Sequence, residues 1–164
     1  MAALTSTIFQ AEDKMDLILW RHAEAQDGDN DLTRPLTDKG RKQAETMAVW
    51  LRARLPERTR FLVSPAVRAK QTADALKMDY EVIDDIAPGA MGASVLSAAG
   101  WPDARGCVLL VGHQPTLGEA ASLLLFGETR ALSLKKGGLL WLTNRVRGSE
   151  PQTMLKAAIS PELA

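Results

Sequence analysis

The chain contains two histidines, His22 and His113, and each sits just past an apolar run. Leu17-Ile18-Leu19-Trp20 leads into Arg21-His22-Ala23-Glu24, and Cys107-Val108-Leu109-Leu110-Val111 leads into Gly112-His113. A third run, Phe61-Leu62-Val63, stops at Ser64-Pro65, with Arg68 one turn further on. Guanidinium groups match phosphate oxygens in a bidentate way. A nearby helix start adds backbone N–H donors, and a neutral imidazole can accept a phosphoryl group covalently. Phosphoryl transfer is catalysed largely by positioning and by neutralising the equatorial oxygens. Arg21, His22, Arg68 and His113 therefore suit one phosphoryl group. The same two histidines could instead ligate a metal, but such sites want further His, Cys or carboxylate ligands, and Arg21 would repel the cation.

These residues meet only if the elements carrying them are adjacent. A strand is expected over 16–21, followed by a polar, turn-rich loop over 24–33 whose acidic residues read as solvated. Thr37 can cap a helix whose buried stripe is Ala44, Met47, Ala48, Leu51 and Leu55, ended by Pro56. After the strand over 61–63, Ser64 as N-cap with Pro65 at the first helical position predicts a second helix, with Ala69, Thr72, Ala73 and Leu76 inward. Arg68 falls in its first turn, where a cation works against the helix dipole unless an anion lies beside it. An edge strand is expected over 80–83, a turn over 84–89 and a short helix over 94–99. The run 107–111 reads as a strand covered on both faces. Thr116-x-x-Glu119 fits a capping box, and Gly127 can end the helix it starts. Strands over 139–142 and 154–159 complete the pattern. Alternating strands and helices imply a three-layer α/β/α sandwich with a mainly parallel sheet, and such sheets bind ligands beyond the carboxyl ends of their strands.

The bulk composition sets the limits. At 164 residues and 46% hydrophobic, the chain can build one sizeable core. Residues 1–15 show no clean period and are expected to form a flexible leader, leaving one domain over 16–164. Lys+Arg and Asp+Glu are 20 each, so the formal charge is zero. This gives no basis for nucleic-acid or membrane partners. One cysteine, Cys107, rules out an internal disulfide. Its place in an apolar run reads as a buried strand residue rather than a thiol nucleophile. No run approaches the roughly 18 to 20 apolar residues of a membrane span, and Glu12, Asp13 and Lys14 interrupt any signal-like start. A cytoplasmic setting is the expectation.

Leu19-Trp20-Arg21-His22-Ala23-Glu24-Ala25 resembles the R-H-G motif of the histidine phosphatase superfamily, branch 1, which also holds the phosphoglycerate mutases. The resemblance continues through Arg34-Pro35-Leu36-Thr37-x-x-Gly40-x-x-Gln43-Ala44 and Val63-Ser64-Pro65-x-x-Arg68-Ala69-x-Gln71-Thr72-Ala73. It ends with Leu110-Val111-Gly112-His113-x-Pro115. The small size and the R-P-L-T segment look most like the SixA-type phosphohistidine phosphatases. The resemblance implies a phosphoglycerate mutase-like fold, with His22 as the phosphorylated nucleophile and Arg21, Arg68 and His113 holding the phosphoryl oxygens. It implies no metal or organic cofactor. The substrate would be a phosphorylated protein carrying phosphohistidine, or else a small phosphorylated metabolite. Two departures stand out. The motif glycine is Ala23, and the general acid of many members has no fixed place, with Glu24, Asp84 and Asp85 as candidates. A phosphoramidate leaving nitrogen takes a proton more easily than an alkoxide, so a weak or absent acid would suit phosphohistidine. The rival readings are a small-molecule phosphomonoesterase on the same site and a non-catalytic phosphate-binding module.

Overall fold

The computed structural model describes residues 14–147 and 150–164. The strands are β1 (Met15–Arg21), β2 (Thr59–Val63), β3 (Glu81–Val82), β4 (Gly106–Gly112), β5 (Leu139–Arg147) and β6 (Glu150–Ile159). They form one sheet in the order β3-β2-β4-β1-β5-β6. β1, β2, β3 and β4 are mutually parallel, β5 pairs antiparallel with β1, and β6 pairs antiparallel with β5. The helices are α1 (Asp38–Arg52), α2 (Val67–Asp74), α3 (Gly92–Ala99) and α4 (Thr116–Phe126). Residues 1–13 of the expected leader lie outside the described residues, while Met15 opens β1 and is fully buried.

Period-2 alternation along the central strands divides the core into two layers. Ile18, Trp20, Phe61, Val63, Leu109 and Val111 pack with Met47, Leu51, Ala69 and Ala73 of α1 and α2. Leu17, Leu19, Leu62, Val108 and Leu110 pack with Val95, Leu117 and Ala121 of α3 and α4. Both faces of the sheet are thus covered, which is why β1 and β4 read as unbroken apolar runs. Cys107 belongs to the first layer and is buried. Burial pushes its thiol up to about 11, away from nucleophile chemistry.

Some local expectations are revised. The second helix begins later, at Val67, with Ala66 as its N-cap and no side-chain cap. Thr116 is already helical, with Pro115 at the N-cap, so no capping box forms. Thr116 Oγ1 donates to the Ala90 carbonyl at 2.6 Å, and Glu119 accepts from the Gly92 amide at 3.2 Å. Both side chains tie the entry of α3 to α4 instead. α1 ends at Arg52, short of Leu55. The last two strands extend well beyond 139–142 and 154–159. Their outer parts pair with each other through mostly polar residues, so no apolar run marks them.

The chain leaving β1 is fastened at every polar group it exposes. The Ala23 amide donates to Thr72 Oγ1 (3.0 Å), and the Glu24 amide donates to Gln43 Oε1 (3.0 Å). The Glu24 carbonyl accepts from the Thr37 amide at 3.0 Å. Thr37 caps α1 by accepting from the Gly40 amide at 2.9 Å. Gln71 does the same service for the Leu36 amide, at 2.7 Å. Gly40 is where α1 touches this segment, since a Cβ there would stand 2.0 Å from the Glu24 carbonyl oxygen. Gly40→Ala should therefore destabilise the fold by roughly 1–3 kcal/mol through overpacking, against the gain of up to about 1 kcal/mol expected from helix propensity. Urea unfolding reads the sign, and a raised midpoint would refute the contact.

Candidate active site

The register brings three strand ends to one rim. Arg21 pairs with Gly112 and Val63 with Val111, so the residues that follow β1, β2 and β4 emerge side by side. The His22 amide donates to the Gly112 carbonyl at 3.0 Å, and the Ser64 amide donates to the Val111 carbonyl at 3.1 Å. His22 and His113 face each other with ring centroids 5.1 Å apart and planes tilted by 52°. Arg68, on the first turn of α2, reaches between them and is buried at 3% exposure. Thr72, one turn later, donates to the Arg68 carbonyl at 2.8 Å while accepting from Ala23. It thereby ties the arginine's helix to the histidine's strand.

The hydrogen bonds assign the tautomers. His22 Nδ1 lies 2.7 Å from the Ala23 carbonyl. A carbonyl only accepts, so Nδ1 carries the proton and Nε2 presents its lone pair. Arg68 Nε donates to that lone pair at 3.2 Å. His113 Nδ1 lies 3.3 Å from Arg68 Nη2 and Nε2 lies 2.7 Å from Ser64 Oγ. A guanidinium only donates, so in the neutral ring Nδ1 accepts and Nε2–H donates to Ser64. Ser64 is thus an orienter of His113 rather than a helix cap. Its hydroxyl also receives the Ala66 amide at 3.3 Å.

Arg21 is held differently. Its amide donates to the Gly138 carbonyl at 2.9 Å and its Nη1 to the Leu134 carbonyl at 2.6 Å. Trp20 Nε1 donates to the Gly137 carbonyl at 2.9 Å, and the Gly137 amide to the His22 carbonyl at 3.1 Å. The segment before β5 is therefore sewn along the end of β1. Arg21 Nε is buried and has no hydrogen-bond partner among the described residues. Ala23, at the motif glycine position, is fully buried against Leu36 and Ala44. Its φ is not positive, so the backbone tolerates a side chain there and the methyl packs.

Two residues outside the expected set also reach the site. Asp31 Oδ2 accepts from Arg68 Nη2 at 3.0 Å, and the Asp31 carbonyl accepts from Arg68 Nη1 at 2.5 Å. Asp31 Oδ1 accepts from Arg34 Nε at 3.1 Å and Nη2 at 2.8 Å. The acidic loop is not merely solvated. Arg34, and to a lesser extent Arg68, hold the Asp31 carboxyl below the usual carboxylate range. The signal available in the sequence was Arg34, first residue of the R-P-L-T segment.

The acid candidates sit apart from this network. Glu24 accepts from Thr37 Oγ1 at 3.1 Å and pairs with Lys39 at 3.4 Å and Lys136 at 3.8 Å. The Thr37 hydroxyl first, then Lys39, hold its carboxyl low, so it stays ionised and is a poor proton donor. Asp84 and Asp85 lie on a 3-10 turn after the edge strand. Among the described residues, no hydrogen bond or ion pair joins them to Arg21, His22, Arg68 or His113.

Desolvation, reinforced by Arg68 and Arg21, pushes the His22 imidazole down to about 4. Desolvation, the neighbouring His22 and Arg68 push His113 down to about 3. Both rings are neutral near pH 7, as the tautomers require. The unfolded chain, with ordinary histidines near 6.5, binds protons first as pH falls. Stability is complete above 6.5 and is lost as pH falls through the window down to about 4. Each histidine should cost on the order of 2 kcal/mol of unfolding free energy between about pH 7 and pH 5. Denaturant unfolding at the two values measures the loss, and His113→Gln should show about half of it.

Comparison with known proteins matches this arrangement. Residues 17–87 match the model of the histidine phosphatase superfamily (branch 1). An uncharacterized protein of Picosynechococcus is 38% identical over 141 residues, covering 78% of this chain and 84% of that one. Phosphohistidine phosphatase SixA of Escherichia coli is 34% identical over 124 residues, covering 70% of this chain and 77% of that one. Among solved structures, the protein histidine phosphatase SixA complexed with tungstate superposes with a TM-score of 0.71 at 26% identity, over 90% of this chain and 97% of that one. Among the described residues no helix is long and apolar enough to cross a membrane. The chain belongs to branch 1 of the histidine phosphatase superfamily, as a SixA-type histidine phosphatase.

Proposed function

We propose that the chain removes phosphoryl groups from phosphohistidine in proteins, through a covalent intermediate on His22. The observation that carries this is the Nε2 lone pair of His22, fixed by its Nδ1–H bond to Ala23 and facing Arg68 and His113. In the first step Nε2 attacks phosphorus, and the bond from phosphorus to the leaving nitrogen breaks. Arg21 and Arg68 neutralise the equatorial oxygens. The dianion also draws a proton onto His113, whose Nδ1–H then donates to a phosphoryl oxygen while Nε2–H stays on Ser64. In the second step water attacks phosphorus, the P–Nε2 bond breaks, and orthophosphate leaves with neutral His22 restored.

The leaving group decides the substrate class. A departing sugar or serine alkoxide needs a proton delivered in the transition state. One candidate donor, Glu24, is kept ionised by Thr37 and Lys39. A phosphorylated imidazole can take a proton on its second nitrogen beforehand and depart as a neutral ring. The similarity to a phosphohistidine phosphatase supports the same choice.

Two measurements test this. Rapid quench with a radiolabelled phosphohistidine protein should trap label on His22, and His22→Ala should abolish both label and hydrolysis while still binding phosphate. Hydrolysis that survives in His22→Ala would refute the covalent route. Turnover of the phosphoprotein should exceed that of sugar monophosphates by about a hundredfold or more, the scale of a general-acid contribution. Faster turnover of the sugars would assign the site to small phosphomonoesters instead.

A further inference from the structure

Arg68 has two working edges, and the structure separates them. Its Nε/Nη2 edge faces His22 Nε2 and His113 Nδ1, at 3.2 and 3.3 Å. Its outer edge is held by one residue, with Nη1 on the Asp31 carbonyl and Nη2 on Asp31 Oδ2. The Asp31 side chain is about half exposed while that of Arg68 is 4% exposed, so the loop reaches inward to meet the arginine. The other carboxylate oxygen of Asp31 is gripped by Arg34 through Nε and Nη2. Arg34 Nη1 also donates to the Gln26 carbonyl at 3.2 Å, closing the loop on itself. The connection therefore runs Arg34, Asp31, Arg68, histidine pair.

We infer that Asp31 is a positioning residue for the phosphoryl reaction: braced by Arg34, it holds the outer edge of Arg68 so that the inner edge faces the phosphoryl slot between His22 and His113. This rests on the reading of that slot as the phosphoryl site. A guanidinium on a flexible side chain has rotamer freedom that must be lost before it can grip two oxygens at once. The Asp31 carbonyl and carboxylate remove that freedom before substrate arrives. They bind the edge away from the histidines, so they need not be displaced for Arg68 to close on a phosphoryl group. The carboxylate also offsets the charge of a buried cation while the slot is empty.

The test uses the full chain, phosphoramidate as a small P–N substrate and tungstate as a phosphoryl-site probe. Asp31→Ala should lower kcat by about tenfold or more and weaken tungstate binding by a similar factor, the scale of a misplaced catalytic group. Its thermal midpoint should fall, because Arg68 then keeps a buried charge without its carboxylate, so kcat and tungstate binding are read at a temperature where circular dichroism shows the variant folded. Arg34→Ala should lower kcat less. The double variant should be no worse than Asp31→Ala alone, because Arg34 acts through Asp31. An unchanged kcat in Asp31→Ala, tighter tungstate binding, or additive losses in the double variant would each overturn the inference. His22→Ala serves as the separate control. If it still hydrolyses phosphoramidate, the covalent reading fails, whereas loss in His22→Ala with a normal Asp31→Ala sinks only the role of Asp31.

Discussion

A guanidinium buried at 3% exposure must find partners for its charge and its N–H groups. Arg68 finds them in His22, His113 and Asp31, and much of the architecture exists to bring those three to it. His22 arrives on β1, His113 on β4, and Asp31 on the loop that follows β1. The arginine itself stands on the first turn of α2, directly after β2. Because β2, β4 and β1 are consecutive in the sheet, the strand ends meet without any long reach of side chain. Thr72 then locks the helix to the strand by bonding to both Arg68 and Ala23.

The same cation shapes the histidines electrostatically. With Arg68 beside both rings and each desolvated, both imidazoles are held neutral. For His22 that leaves a lone pair on Nε2. For His113 it leaves Nδ1 as the acceptor facing Arg68. Ser64 prepares this by occupying Nε2 and leaving Nδ1 toward the slot. The loss of stability at acid pH is a consequence of the same arrangement.

Legibility in the sequence followed the range of the interaction. The strand ends and the meeting of His22, Arg68 and His113 were readable because β1, β2 and β4 are buried on both faces and stop abruptly at polar residues. Gly40, Gln43, Gln71 and Thr72 could be seen as a motif, but their bonds to the backbone leaving β1 could not. Ser64-Pro65 and Thr116-x-x-Glu119 carry the local pattern of helix caps, yet their side chains satisfy distant groups. A hydroxyl or carboxylate near a helix start looks the same in either case. Asp31 was the least legible. It lies in an acidic, turn-rich loop, and the partner that gives it meaning is 37 positions away. The length of β5 and β6 was hidden for another reason: beyond Thr143 the residues of β5 are mostly polar and the first residues of β6 are exposed, so the sequence carries no apolar signal.

Glu24 shows how a carboxylate beside the histidine can be committed to holding the backbone. It follows the nucleophile candidate by two residues and would be a natural place for a proton donor. Here its carboxylate is engaged by Thr37, Lys39 and Lys136, and its backbone by Gln43 and Thr37. The residue is committed to holding the β1 exit against α1, where Gly40 permits the close approach. A carboxylate recruited as a structural tie is unavailable as an acid. Moving it into the slot would release the cap region of α1 and the path of the chain behind His22 together. Under that constraint Glu24 holds the chain behind His22 in place and keeps its charge.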